Sequence, residues 1–346
     1  MIEIKDYSRE ELAAWLQGRD IRPFRAGQIF KWLYLKQTDS FDAMTDIGKE
    51  VRELLHTHFT NQRLVVEQSE ISTDGTEKLL FRLADGNRIE SVLIPQKDHY
   101  TLCISSQAGC AQGCRFCLTA TCGFQRNLTV SEIVSQVRDA RRHLEQRDPG
   151  DTRPLSNIVF MGMGEPLANY DAVVKSMAII TDSDFGLKFS SRRVTVSTCG
   201  LVPEIIRLGN DTQANLAISL NATTDEVRST LMPVNRRYPI RDLLEACRNF
   251  IMKPRNKITF EYILIKGVND SEEDAKRLVR MLSPLKAKIN LIPFNEHEKS
   301  QFKRPSPAEI DRFFQILLAS PITVIIRKSM GNDISAACGQ LRARHG

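Results

Sequence analysis

The chain has 346 residues, 42% of them hydrophobic and 26% charged, a balance that excludes intrinsic disorder and supplies core for two or three domains. No apolar run approaches the roughly 18 residues needed to cross a bilayer, and the charged start MIEIKDYSREELAAWLQGRD does not read as a signal peptide, so a cytoplasmic location is expected. A net charge of +6, from 48 basic and 42 acidic residues, is compatible with a polyanionic partner without requiring one.

In chain order, residues 1–61 read as a helical module. Ser8 followed by EELAAWLQ has the form of a helix cap with a capping box, and FRAGQIFKWLYLK and DIGKEVRELLHTHF carry helix-like apolar spacing. Over residues 62–98 the period falls to two, in RLVVEQSEIS, KLLFRL and NRIESVLIP, with Asp74-Gly75 and Asp85-Gly86 as hairpin turns. A short antiparallel sheet is expected there as a β extension. Over residues 99–346 the strand-like runs YTLCISS, NIVFMG, RRVTVST, NLAISLN, ITFEYILI and KINLIPF alternate with amphipathic segments such as SEIVSQVRDARRHL and DAKRLVRML. Six such βα units imply a parallel sheet. Periodicity leaves open whether it is doubly wound or curled into a partial barrel, but in either case functional residues belong at the carboxyl ends of the strands. A last strand-like segment, ITVIIRK, leads into the tail GNDISAACGQLRARHG.

Eight cysteines would suggest a disulfide framework in a short secreted chain, but here three crowd into CAQGCRFC and metal or redox chemistry is the better reading. Cys110, Cys114 and Cys117 stand at spacings of four and three, directly after the first strand of the alternating region. Three thiolates on one loop can hold three corners of a cubane iron–sulfur cluster and leave the fourth iron open for chemistry. The competing reading is a structural zinc site with Cys122 as fourth ligand.

Polar residues at later strand ends outline a pocket beside that loop. MGMGEP brings Gly162 and Gly164 for close backbone approach and Glu165 as an acceptor for an ammonium group. Ser197, the run Ser219-Leu220-Asn221, and Asn295 occupy the ends of the following strands. Basic pairs and triplets recur at Arg192-Arg193, Arg236-Arg237, Lys253 with Arg255 and Lys257, and Lys303-Arg304, each of which alone reads as solvated surface. Taken singly, Cys103 and Cys338 read as packing residues, Cys199 and Cys247 as core, and Glu90 as a solvent-facing strand carboxylate or a salt-bridge partner.

The cysteine spacing, with Phe116 before the third cysteine, resembles the signature of the radical S-adenosylmethionine superfamily. IESVLIP, CISSQAGCAQGCRFC, MGMGEPLANY, INLIPFNEHE and GNDISAACGQLR together resemble the RlmN/Cfr family of RNA adenine methyltransferases over nearly the whole chain. The resemblance implies a partial (βα)6 barrel, a [4Fe-4S] cluster on Cys110, Cys114 and Cys117, and S-adenosylmethionine in the strand-end pocket. It also implies 23S rRNA and some tRNAs as substrates, and an external electron donor of the flavodoxin or ferredoxin type. By the same resemblance Cys338 carries the methyl group, Cys103 resolves the adduct through a transient disulfide, and Glu90 serves as a base or as a hydrogen-bonding group near the adenine. The chemistry explains why two thiols and a base are wanted. Carbon 2 of adenine is too electron-poor to attack a sulfonium methyl, whereas a thiolate takes the methyl readily and a second thiol can release the product.

Two other readings stand beside methylation at carbon 2. Methylation at carbon 8 uses the same cysteines, and Lys328 and Met330 interrupt the arginine-rich stretch common before the tail in the carbon-2 branch. A non-enzymatic iron–sulfur or zinc protein that binds RNA during assembly accounts for the three-cysteine loop but not for Cys103 and Cys338.

Overall fold

In the computed structural model, which describes residues 1–148, 150–297 and 300–342, the strand-like runs pair into one ten-stranded sheet whose spatial order follows chain order. Its strands are β1 (Val65–Ile71), β2 (Glu77–Arg82), β3 (Arg88–Pro95), β4 (Tyr100–Cys103), β5 (Leu155–Phe160), β6 (Val194–Thr198), β7 (Asn215–Ser219), β8 (Ile258–Leu264), β9 (Ala287–Pro293) and β10 (Thr323–Ile326). Strands β4 to β10 are parallel, and β1 to β4 are antiparallel. The expected hairpins are present, with Gly75 and Gly86 at φ of 83° and 85° in their turns. They do not form a sheet of their own, because β3 pairs with β4 (Val92 opposite Cys103) and so prolongs the parallel sheet at its edge.

The sheet is curled. Ile94 and Thr101 from one end of the strand order line a single cavity with Asn290, Ile292 and Arg327 from the other. Among the described residues no ladder joins β10 to β1, so the barrel stays open. The crossovers carry α4 (Val130–Arg147), α5 (Tyr170–Thr181), α6 (Val202–Asp211), α7 (Asp225–Leu231) with α8 (Ile240–Asn249), α9 (Glu272–Leu282) and α10 (Pro307–Leu318), which follow α1 (Arg9–Gln17), α2 (Arg25–Phe30) and α3 (Lys49–His58) of the amino-terminal module. Right-handed βαβ crossovers place the loops after each strand at one end of the barrel, and the tail returns to that end.

Local chemistry sets the helix starts. Ser8 Oγ accepts from Glu11 N at 3.1 Å while Ser8 N donates to Glu11 Oε2 at 2.7 Å, which is the expected capping box. The module also holds a two-residue parallel ladder between Ile2–Glu3 and Phe59–Thr60, too short to leave a period in the sequence. Its attachment is polar and buried. Lys5 pairs with Glu3 and donates to Asn61 Oδ1 (3.2 Å) and Gln62 O (2.8 Å), and Asp6 accepts from Ser131 N at the start of α4 (2.8 Å). Arg138, without exposed surface, reaches Asp139 (2.8 Å) and Asn61 (3.5 Å) from the barrel side. A buried charge of this kind is tolerated only while its partners stay in place, so the module is an integral part of the fold.

Candidate active site

Around the carboxyl ends of β5 to β9 lies one cavity. It is lined by Cys110, Cys114, Phe116 and Cys117 from the loop after β4, by Gly164 and Glu165 after β5, and by Ser197 and Cys199 at the end of β6. Ser219, Asn221 and Glu261 complete the wall, and Cys338 reaches in from the tail. The cysteine loop is fixed through its backbone: Cys117 N donates to Cys114 O (3.1 Å), Cys110 N to Gly123 O (3.0 Å) and Arg115 N to Leu231 O (2.9 Å). Leu118 N donates to Gly339 O at 2.7 Å, which seats the residue after Cys338 beside the residue after Cys117.

This donor set suits a cubane cluster. Three soft thiols share a cavity, and a polar wall beyond them is free to present a ligand to the fourth iron. Among the described residues no three His, Cys, Asp or Glu side chains gather closely enough for a single ion. Cys122, the fourth ligand that the zinc reading would use, lies outside the cavity lining, and its thiol donates to Leu118 O at 3.6 Å.

The pocket residues are held by one another. Gly164 has φ of 98°, and a Cβ there would come within 2.5 Å of Gln107 Cβ, so the close approach that it permits is to the cysteine-bearing segment. Glu165 Oε2 accepts from Cys199 N (2.8 Å) and Oε1 from Leu167 N (3.1 Å), bridging the ends of β5 and β6. Burial raises its pKa against those bonds. Ser197 Oγ donates to Glu261 Oε2 (3.1 Å), and Asn221, in the left-handed region at φ of 57°, accepts from Ile263 N (2.8 Å).

Four expected residues lie outside this lining. Leu220 is buried in the core, with its N–H donating to Glu261 O at 3.0 Å. Asn295 braces the tail, with Nδ2 donating to Cys338 O (3.3 Å) and Oδ1 accepting from Ser329 Oγ (2.6 Å). Cys103 ends β4 at 7% exposure, within electrostatic reach of Cys338 and Arg327, and burial, then Cys338, push its thiol up to about 12. Glu90 is not solvent-facing. At 3% exposure it accepts from Arg342 N at 2.6 Å, stands 3.5 Å from Lys78 Nζ, and borders an adjoining cavity with Leu118 and Gln340.

Cys199, read from the sequence as core, is buried but also faces the cavity; it follows a strand whose end had already supplied Ser197. Glu261 and Arg327 went unnoticed, although a carboxylate within ITFEYILI and a cation ending ITVIIRK were visible as charges in apolar strands. They meet at 3.5 Å, and Cys338, ahead of Glu261, favours the charged form of Arg327.

Arg228 was missed as well. Fully buried, it donates to Leu220 O (3.0 Å), Cys199 O (2.6 Å), Ser219 O (3.2 Å) and Asn235 Oδ1 (2.9 Å), tying two strand ends together. Arg228→Met leaves those carbonyls unpaired and is expected to lower stability by about 2–4 kcal/mol, measured by urea unfolding.

Residues 104–279 match the radical SAM superfamily, and residues 2–60 match the ribosomal RNA large subunit methyltransferase N-terminal domain. The chain is 57% identical over 341 residues to the dual-specificity RNA methyltransferase RlmN of Desulfosudis oleivorans, covering 99% of this chain and 91% of that one. It is 55% identical over 344 residues to the protein of the same name from Geobacter sulfurreducens, covering 99% and 93%. A crystal structure of a radical SAM methyltransferase from Sphaerobacter thermophilus superposes with a TM-score of 0.91 at 45% identity, covering 99% of this chain and 100% of that one.

Proposed function

The chain belongs to the RlmN family of radical SAM RNA methyltransferases, and on that premise we propose that it methylates carbon 2 of an adenine in 23S rRNA and of the adenine 3′ to the anticodon in some tRNAs. The observation that carries this reading is the convergence of Cys110, Cys114, Cys117 and Cys338 on one cavity from distant parts of the chain. An assembly factor has no use for Cys338 there.

Cys110, Cys114 and Cys117 would hold a [4Fe-4S] cluster, with Glu165, Ser197, Ser219 and Asn221 around S-adenosylmethionine. Bound there, the cluster would supply the one-electron chemistry that cleaves S-adenosylmethionine to methionine and a 5′-deoxyadenosyl radical, and would be the acceptor for the electron given up once the new carbon–carbon bond has formed. The Cys338 thiolate first displaces S-adenosylhomocysteine and becomes S-methylcysteine. Loss of a hydrogen atom from that methyl to the adenosyl radical lets its carbon bond to the ring. Glu90 then takes the proton from the attacked carbon. Cys103 attacks the sulfur of Cys338, the bond from that sulfur to the bridging methylene breaks, and the methylene keeps the electron pair and takes up the proton given up by the Cys103 thiol, becoming the methyl group on the ring. The disulfide left behind is reduced by two electrons from an external donor of flavodoxin or ferredoxin type.

RNA is expected to approach the end of the barrel where the cavity opens. Of the basic groups, Arg236-Arg237 and Lys303-Arg304 follow strands β7 and β9 and are exposed at that end. Arg192-Arg193 and the Lys253–Lys257 group precede β6 and β8 at the opposite end. Phosphate contacts at the first two groups would offset the cost of extracting a stacked adenine, on the order of a few kcal/mol. The amino-terminal module, which matches the ribosomal RNA large subunit methyltransferase N-terminal domain, is the candidate for a further RNA contact. A cytoplasmic site of action follows from these partners; no helix among the described residues is long and apolar enough to cross a membrane.

Anaerobic incubation with S-adenosylmethionine, reductant and a 23S rRNA fragment is expected to yield 5′-deoxyadenosine and 2-methyladenosine, identified by mass spectrometry against authentic nucleosides. 8-Methyladenosine would replace the substrate carbon, and absence of 5′-deoxyadenosine would overturn the enzymatic reading.

A further inference from the structure

The turn between β1 and β2 makes bonds that a hairpin does not need. Its own closure is complete: Ser72 N donates to Thr76 O (2.8 Å), Gly75 N to Ser72 O (2.9 Å) and Thr76 N to Asp74 Oδ1 (2.9 Å). The groups left over all point to the tail, some 260 residues further on. Asp74 Oδ2 accepts from Gly331 N at 2.8 Å. Ser72 Oγ donates to Asp333 Oδ1 (2.5 Å) and Thr73 N to Asp333 Oδ2 (3.0 Å). On β2, Lys78 Nζ donates to Ile334 O at 2.7 Å.

Gly331 explains how the tail fits so closely. It has φ of 69°, and a Cβ there would fall 2.8 Å from Ala336 Cβ and 3.0 Å from Thr76 Cγ2. Beyond Cys338 a second set of bonds takes over: Leu118 N to Gly339 O (2.7 Å), Thr119 Oγ1 to Leu341 O (2.7 Å) and Gln340 Nε2 to Glu296 O (3.0 Å). Cys338 is therefore bracketed, tied on one side to the β extension and on the other to the cysteine loop.

We propose that the β1–β2 turn is a clamp that positions Cys338 at the cavity, with Ser72, Asp74 and Lys78 as its positioning residues and Asp333 as the group it grips. The clamp gives the extension a place in the reaction: without it, the hydrogen bonds among the described residues that tie residues 328–338 to earlier parts of the chain are those of Asn295 to Ser329 and Cys338. All four contacts involve an ionised partner, Asp74, Asp333 or Lys78, which makes them stronger and more directional than neutral ones. The inference rests on Cys338 as the methyl carrier, and its test separates the two ideas.

Asp333 is exposed, so Asp333→Ala changes the clamp without touching the core. In anaerobically reconstituted holoenzyme, Asp333→Ala combined with Asp74→Ala is expected to raise the rate of Cys338 alkylation by iodoacetamide about 10-fold, and to lower kcat by about 10- to 100-fold, since small misplacements of a reacting group are costly. The KM for S-adenosylmethionine should stay within about twofold, because the strand-end wall is unchanged. Asp333→Asn, which keeps an acceptor oxygen, should recover most of the loss. A folded double variant with wild-type alkylation rate and kcat would overturn the clamp. Methylation of RNA by Cys338→Ala would instead sink the carrier reading and leave the alkylation result standing.

Discussion

A Cys103→Ala enzyme purified anaerobically from cells that contain RNA is expected to carry RNA covalently attached to Cys338 through a one-carbon bridge. Its multiple-turnover activity should fall by on the order of 10³-fold or more, as when a nucleophile is removed from a step that nothing else can perform. Cys103 ends β4, buried and within electrostatic reach of Cys338 and Arg327. Burial, then Cys338, push that thiol up to about 12 while Arg327 opposes the rise, so its attack on the adduct is expected to require loss of its proton first. Under the proposed mechanism, removal of its sulfur should leave carrier loading and carbon–carbon bond formation intact and place the blockade at release. Peptide mass spectrometry locates the crosslink, and sequencing of the attached fragment identifies the RNA. A clean and active Cys103→Ala enzyme would mean that release proceeds without a resolving thiol.

The parts of this protein that were legible in the sequence are those written in local chemistry. Period-two and helical runs gave the order of strands and helices, Ser8 and Glu11 gave a cap, and CAQGCRFC gave a loop of three thiols. What periodicity left open was how the sheet closes on itself, because curl and edge pairing come from contacts between distant strands. The β extension is the clearest case: β3 reads as part of a short antiparallel sheet, yet pairing of Val92 with Cys103 joins it to the barrel. The same step buries Glu90, which a period-two reading places in solvent. Strand-end placement found Ser197 and Asn221 but passed over Cys199, Glu261 and Arg228, whose partners lie on other strands and are invisible to any local pattern. Leu220 shows the converse, since a residue between two pocket residues turns its side chain into the core.

Glu90→Gln is expected to lower product formation by about 10²- to 10⁴-fold, the range for loss of a positioned base, while methyl transfer to Cys338 continues. Glutamine keeps an oxygen to accept from Arg342 N, so the tail stays docked and the variant isolates proton transfer from positioning. S-methylated Cys338 peptide should therefore accumulate at the normal rate, with little methylated RNA; equal loss of both would mean that Glu90 serves only to hold the tail. The pH profile provides a second readout. Burial raises the Glu90 carboxyl above the ordinary value of 4.5, and Lys78 and the Arg342 amide oppose that rise. Only the carboxylate accepts a proton, so the rate of the deprotonation step should fall as pH drops through this raised value. Lys78→Met removes the cation that favours ionisation and should move that acid limb to higher pH, whereas loss of the clamp contact from the same lysine lowers the rate at every pH. A shift of the limb identifies Glu90 as the group that titrates, and a uniform drop without a shift assigns Lys78 to positioning alone.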